Sequence, residues 1–172
     1  MSDVLTGTNL EIKARTADLN EHRARLRRLE ADRQGVERQE DVYFRVPRGR
    51  LKLRRSSRDG AHLIAYLRPD EGRHRESRFH RLPVADPDGL EAALDAMLGS
   101  GARVIKTREV WWWRSVRIHL DEVETLGSFV EMEARLDEIG DPDEAAERIE
   151  RLIEALGIEA RRLVDGSYAE AR

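Results

Sequence analysis

The chain has 172 residues, enough for a compact domain with a core of its own, and it carries no cysteine, which excludes disulfide staples, thiolate metal sites and a cysteine nucleophile. Its formal net charge is only -3 although 38% of its residues are charged, and the charges are segregated: residues 45–81 are rich in arginine, whereas acids crowd the stretch from Asp137 to Glu159. No apolar run reaches membrane-spanning length and Met1 to Thr8 lacks the regions of a secretory signal, so one domain over residues 1–172, cytoplasmic and without a membrane partner, is expected.

Taken in chain order, Thr8 to Thr16 reads as a first strand, and Asp18 caps a helix to Leu29 whose Leu19, Leu26 and Leu29 form a partial apolar stripe. A strand follows from about Val36 to Val46, and Pro47-Arg48-Gly49-Arg50 turns the chain into a strand over Leu51 to Ser57. Arg58-Asp59-Gly60 turns it again into Ala61 to Arg68. After Pro69-Asp70-Glu71-Gly72 another strand runs to about Leu82. Asp86-Pro87-Asp88 then opens a helix through Leu98, which Gly99 and Gly101 stop. Three more strands are predicted near Arg103 to Arg114, Val116 to Glu124 and Ser128 to Leu136. Asp141-Pro142-Asp143 starts a last helix, with Ala145, Ile149, Leu152, Ile153 and Leu156 at helical spacing.

Five of the strand segments alternate charged and apolar residues: Asn9 to Lys13, Arg50 to Arg54, Val104 to Arg108, Arg117 to Asp121 and Val130 to Glu133. Because successive side chains leave opposite faces of a strand, Glu11 shares a face with Lys13, Lys52 with Arg54, Lys106 with Arg108, and Glu131 with Glu133. Any one such strand could wet its polar face in solvent. Taken together, their apolar partners Leu10, Ile12, Leu51, Leu53, Leu63, Leu67, Ile118, Leu120 and Val130 make a second face that helices can cover. The pattern therefore predicts an α+β fold in which eight antiparallel strands close into a barrel with helices packed outside and the charges within.

Such an interior gathers Lys13, Arg15, Lys52, Arg54, Arg68, Arg75, Lys106, Arg108 and Arg117 against Glu11, Asp121, Glu131 and Glu133. Like charges buried together are costly unless compensated, so the cationic excess implies a polyanion and the clustered carboxylates imply a hard divalent cation. A triphosphate with its metal answers both demands, since arginine forks and lysine point charges suit phosphate oxygens.

Asn9-Leu10-Glu11-Ile12-Lys13 resembles the amino-terminal Glu-x-Glu-x-Lys signature of the CYTH domain, or triphosphate tunnel metalloenzyme superfamily. The resemblance continues through Gln39 to Phe44, Arg50 to Arg54, Tyr66-Leu67-Arg68-Pro69, the strand holding Lys106 and Arg108, Arg117 to Asp121, Leu126-Gly127 and Phe129-x-Glu131-x-Glu133. The His119-Leu120-Asp121 segment before Leu126-Gly127 is most similar to the branch with class IV adenylate cyclases. This resemblance implies a triphosphate tunnel with one or two Mg or Mn ions. Glu11, Glu131 and Glu133 would ligate metal, with Asp121 assisting directly or through water. Lys13, Lys52, Arg54, Arg68, Lys106, Arg108 and Arg117 would hold phosphates, and Lys13 and Glu11 are the candidate catalytic residues. The implied substrate is ATP, converted to cyclic AMP and pyrophosphate; a triphosphatase acting on thiamine triphosphate or inorganic tripolyphosphate, or a non-catalytic binder, are the alternatives. Asn9 departs from the family pattern by standing where its first glutamate usually is, which removes one negative charge from the metal site.

Other conspicuous residues have plainer readings. His119 falls on the inner face as a hydrogen-bonded structural group, and Trp112 points inward while Trp111 and Trp113 form core beneath a helix or a homodimer contact. Tyr66 and Phe129 are candidates for the cavity mouth or for packing. Arg23, Arg25, Arg27 and Arg28 lie beside Glu21 and Glu30 in an acidic chain, so they read as a solvated helix face and no nucleic-acid polymer is expected as a partner.

Overall fold

Strict alternation gives each strand two faces with opposite needs, and the chain meets both by closing the sheet on itself. In the computed structural model, which describes residues 5–67, 75–164 and 168, the strands are β1 (Leu5–Thr16), β2 (Asp32–Phe44), β3 (Arg50–Ser56), β4 (Gly60–Leu67), β5 (Arg75–Val84), β6 (Ser100–Trp113), β7 (Val116–Val123) and β8 (Gly127–Arg135). They pair antiparallel in the order β1-β5-β4-β3-β2-β6-β7-β8, and β8 returns to β1 to complete an eight-stranded barrel. Four helices lie outside it: α1 (Leu19–Arg28), α2 (Pro87–Leu98), α3 (Leu136–Ile139) and α4 (Pro142–Leu156).

The apolar core sits outside the barrel wall. Leu10 and Ile12 of β1, Ile118 and Leu120 of β7, and Val130 and Met132 of β8 are buried against Leu26 of α1 and Ala145, Ile149, Leu152 and Leu156 of α4. Trp111 joins this core from β6, with Trp113 packed at its margin, as the alternation predicts. On the opposite side, Leu90 and Leu94 of α2 pack on Val42, Phe44, Leu51 and Leu53. The helices begin where their caps dictate. Asp18 accepts from the Asn20 amide at 2.7 Å, and Asp86 and Asp141 cap α2 and α4 just before a proline whose missing N–H costs nothing there.

Of the boundaries that differ from the sequence expectation, two have a clear local cause. β2 starts at Asp32, because Gly35 (φ +133°) is the site of a bulge and not of a turn, and the strand continues past it to pair with Trp112 of β6. Leu136 begins α3 instead of ending β8; a one-turn helix carries too little periodicity to be read from sequence. Two of the arginines of α1 pair with acids, Arg25 with Glu21 at 2.6 Å and Arg23 with Glu109 at 2.6 Å. Among the described residues no helix is long and apolar enough to cross a membrane.

Candidate active site: an ionic tunnel

The inner face carries the charged halves of the alternating strands. β1 contributes Asn9, Glu11 and Lys13, and β8 contributes Glu131 and Glu133; register pairs Glu11 with Glu133 and Lys13 with Glu131. Lys52 and Arg54 enter from β3, Lys106 and Arg108 from β6, and Arg117 from β7, and all line the same cavity of about 180 Å3. The structure thus brings together nearly all the predicted site residues. Arg68 and the side chain of Arg75 lie outside the described residues. Arg15 is not part of the cavity: it sits exposed at the end of β1, where it donates to the Leu126 carbonyl at 3.0 Å.

Two buried aspartates organise the cations. Asp41 accepts from Arg54 Nε and Nη2, each at 2.7 Å, and from Lys52 Nζ at 2.9 Å. Asp121 accepts from Arg108 Nε at 2.7 Å and Nη2 at 2.6 Å, from Lys106 Nζ at 3.3 Å and from the Tyr168 hydroxyl at 2.7 Å. Each aspartate therefore grips a lysine and an arginine two positions apart on a single strand. Burial alone would raise both carboxyls, but Arg54 and Lys52 hold Asp41, and Arg108 and Lys106 hold Asp121, below the usual carboxylate range. Asp121 is fully buried and does not line this cavity, so its place is behind the cations and not among the open carboxylates. Sequence reading missed Asp41 and Tyr168 altogether. Asp41 lies in a stretch that resemblance marked only as a whole, and Tyr168 follows the last periodic helix with no pattern of its own.

Lys106 is a strongly perturbed cation. Burial first, then the neighbouring Arg108, pushes its ammonium down to about 7, with Asp121 opposing only in part. Tyr168 supplies a further contact: its ring lies 3.7 Å beneath Lys13 Nζ and 4.7 Å from Lys106 Nζ, with its edge on Phe129. Phe129 is wholly buried with Tyr43, Val104 and Val123 in a small apolar cluster around Tyr168, whereas Tyr66 lines the open cavity.

The acidic corner suits a hard cation. Ligand atoms of His119, Glu131 and Glu133 lie within 4.8 Å of one another, and Glu11 faces Glu133 from the next strand. Glu131 is engaged by Lys13 at 3.1 Å and by Arg108, whereas among the described residues the Arg117 guanidinium and the His119 ring stand 3.8 Å from Glu133 and leave it open to a ligand. His119 is buried, and burial together with Arg108 lowers its pKa, so it is a neutral imidazole at pH 7 that meets Glu131 through Nδ1 at 3.4 Å. Asn9 adds an oxygen: its Oδ1 is buried without a partner among the described residues, on the face that carries Glu11. Three carboxylates with an unsatisfied amide oxygen fit a divalent ion of the Mg or Mn type by donor chemistry.

A family model, the CYTH domain, matches residues 7–168. The chain belongs to the CYTH domain family. A Methanocaldococcus jannaschii protein named "Putative adenylate cyclase" is 25% identical over 95% of this chain and 97% of its own length. A solved Pyrococcus furiosus structure, described as a conserved hypothetical protein, superposes with a TM-score of 0.80 at 26% identity over 95% of this chain and 99% of that one. A Hippeastrum adenylyl cyclase homologue described as having a dominant triphosphatase activity shares the fold, with a TM-score of 0.64 at 15% identity over 94% of this chain and 92% of its own. Within this family the barrel interior is the tunnel, and its acidic corner is the candidate metal site.

Proposed function

We propose that this CYTH protein is a metal-dependent enzyme acting on a nucleotide or other organic triphosphate, with ATP cyclisation as the leading reaction. The observation that carries this reading is the barrel wall on which Glu11, Glu131 and Glu133 face the lysine and arginine pairs held by Asp41 and Asp121. Lys52, Arg54, Lys106, Arg108 and Arg117 bind phosphate oxygens, and their aspartate anchors fix them before substrate arrives, so little reorganisation is left for the transition state. Glu11, Glu131 and Glu133, with Asn9 Oδ1, hold Mg or Mn, which when bound neutralises phosphate charge and polarises the phosphorus centre. Lys13, poised between Glu131 and the Tyr168 ring, orients the chain of phosphates from the carboxylate side.

In the cyclase reaction the ribose 3'-oxygen bonds to the α phosphorus, its proton passes to a base, for which Glu11 and Lys13 are the candidates, and the bond to the bridging oxygen breaks to release pyrophosphate. In the second reading water attacks the terminal phosphorus instead, and the triphosphatase description of the Hippeastrum relative favours keeping it. The test is to incubate the protein with ATP, thiamine triphosphate and tripolyphosphate, each with Mg or Mn, and to separate the products. Cyclic AMP with pyrophosphate establishes the cyclase, orthophosphate establishes the hydrolase, and tight binding without turnover establishes a binder. Glu133→Gln should lower metal-dependent turnover at least about 100-fold, the scale at which electrostatic groups act; unchanged turnover removes the carboxylate cluster from the mechanism.

A further inference from the structure

The tunnel does not end at the carboxylates. Arg54, Arg81, Arg108 and Arg117 line the cavity described above and also a second chamber of about 200 Å3 on their far side. That far chamber is completed by Gln39, Ser56, Arg58 and Trp112, among others. Its chemistry differs from the first. The near chamber offers Tyr43, Ile64, Tyr66 and Phe79 to an organic group, whereas in the far one Arg117 already lies over the Trp112 ring at 5.0 Å. Five arginines (Arg54, Arg58, Arg81, Arg108 and Arg117) line the far chamber against two acids, Glu37, which accepts from the Ser56 hydroxyl, and Asp59, which pairs with Arg81 at 3.3 Å, so cations outnumber anions in its wall.

Two polar atoms in its wall are buried without partners among the described residues: Gln39 Oε1, on a residue only 3% exposed, and Arg81 Nε. One is an acceptor that lacks a donor and the other a donor that lacks an acceptor, and a buried polar group left unpaired forfeits the hydrogen bond it made to water. A terminal phosphate answers both. With its second pKa near about 6 it presents anionic oxygens together with a P–OH population at neutral pH, whereas an internal phosphate offers oxygens alone.

We propose that the far chamber is a second anion subsite, which takes the terminal phosphate of a linear inorganic phosphate through Gln39 and Arg81 across the arginine belt from the carboxylate corner. It rests on the reading of the tunnel as a triphosphate site. The terminal phosphate can be the distal end of an intact chain or part of a released product, and the two sources share this chemistry.

The experiment is isothermal titration of the whole protein, with magnesium, against tripolyphosphate, pyrophosphate and the cyclic trimetaphosphate, which has no terminal phosphate. Wild type should bind the linear ions more tightly than the cyclic one. Gln39→Leu should weaken tripolyphosphate about tenfold while leaving trimetaphosphate within about twofold. A parallel loss for pyrophosphate identifies a product-binding subsite, and a loss for tripolyphosphate alone identifies the distal end of the chain. Arg58→Ala, a change at an exposed turn residue whose guanidinium donates to the Gln34 carbonyl at 3.1 Å, repeats the test if Gln39→Leu fails to fold. Linear-ion affinities unchanged in these variants, or an equal loss for trimetaphosphate, overturn the subsite alone. Wild type that binds no tripolyphosphate overturns the functional reading with it.

Discussion

Asn9 and Lys106 show how closely single residues in this tunnel are balanced. Asn9 brings an uncharged oxygen to a corner already holding Glu11, Glu131 and Glu133. Asn9→Glu adds a fourth carboxylate whose repulsion only a cation can relieve. In chelator this variant should melt below wild type, by about 2–4 °C for each kcal/mol of repulsion, and Mg or Mn should restore it and raise turnover. Calorimetry with and without metal measures the difference. Lys106, pushed from 10.5 to about 7, is neutral in the folded protein at pH values where the unfolded chain keeps its proton. The unfolded state then binds more protons, so the penalty from this lysine is full below about pH 7 and is relieved as pH rises toward 10.5. Urea denaturation should show wild type gaining stability from about pH 7 to about pH 9, with Lys106→Met flattening that rise. A phosphate placed beside Lys106 favours the ammonium, so triphosphate binding at about pH 8 should take up a proton, detectable in buffers of different ionisation enthalpy. The cations and glutamates were legible because each alternates with hydrocarbon. Asp41, beside the charged Glu40, and Tyr168, in an aperiodic tail, were hidden because the groups that define their roles lie on other strands.

Among the elements, the turn that leads from β2 into β3 sets the position of Lys52 and Arg54 through one glycine. Gly49 has φ +69°, and a Cβ there would stand 2.6 Å from both the Tyr66 carbonyl oxygen and Leu67 Cδ2. Gly49→Ala should cost about 1–3 kcal/mol of stability through left-handed strain and this clash, and should weaken triphosphate binding as well because β3 shifts. Denaturant midpoints and titration measure the two effects separately. β3 could be read from its alternation, whereas β5 shows the limit of that signal. Ser77, Phe79 and Arg81 line the tunnel, but Glu76, Arg78 and His80 on the other face are exposed, so both faces are polar and no period of two stands out. α4 lay open to prediction for the opposite reason, since Ala145, Ile149, Leu152, Ile153 and Leu156 are all buried on one side.

At the scale of the whole molecule, hydrocarbon lies between wall and helices and the ions lie within, so inside and outside are told apart only by the parity of each strand. One residue inserted in β6 between Val104 and Lys106 would turn Lys106 and Arg108 toward the apolar side of the wall and strip Asp121 of its partners. Such an insertion should leave the protein in inclusion bodies, while the same residue added at the exposed turn beside Arg58 and Asp59 should be accepted, as soluble yield and circular dichroism would report.

The closed ring of strands carries that constraint further. With β8 bonded back to β1, no strand can slide past its neighbours to absorb an error in reading frame, because every ladder is tied to two others. Lineages of this chain are therefore free to lengthen or shorten at the bends, and within the staves can change only by exchange of one side chain for another.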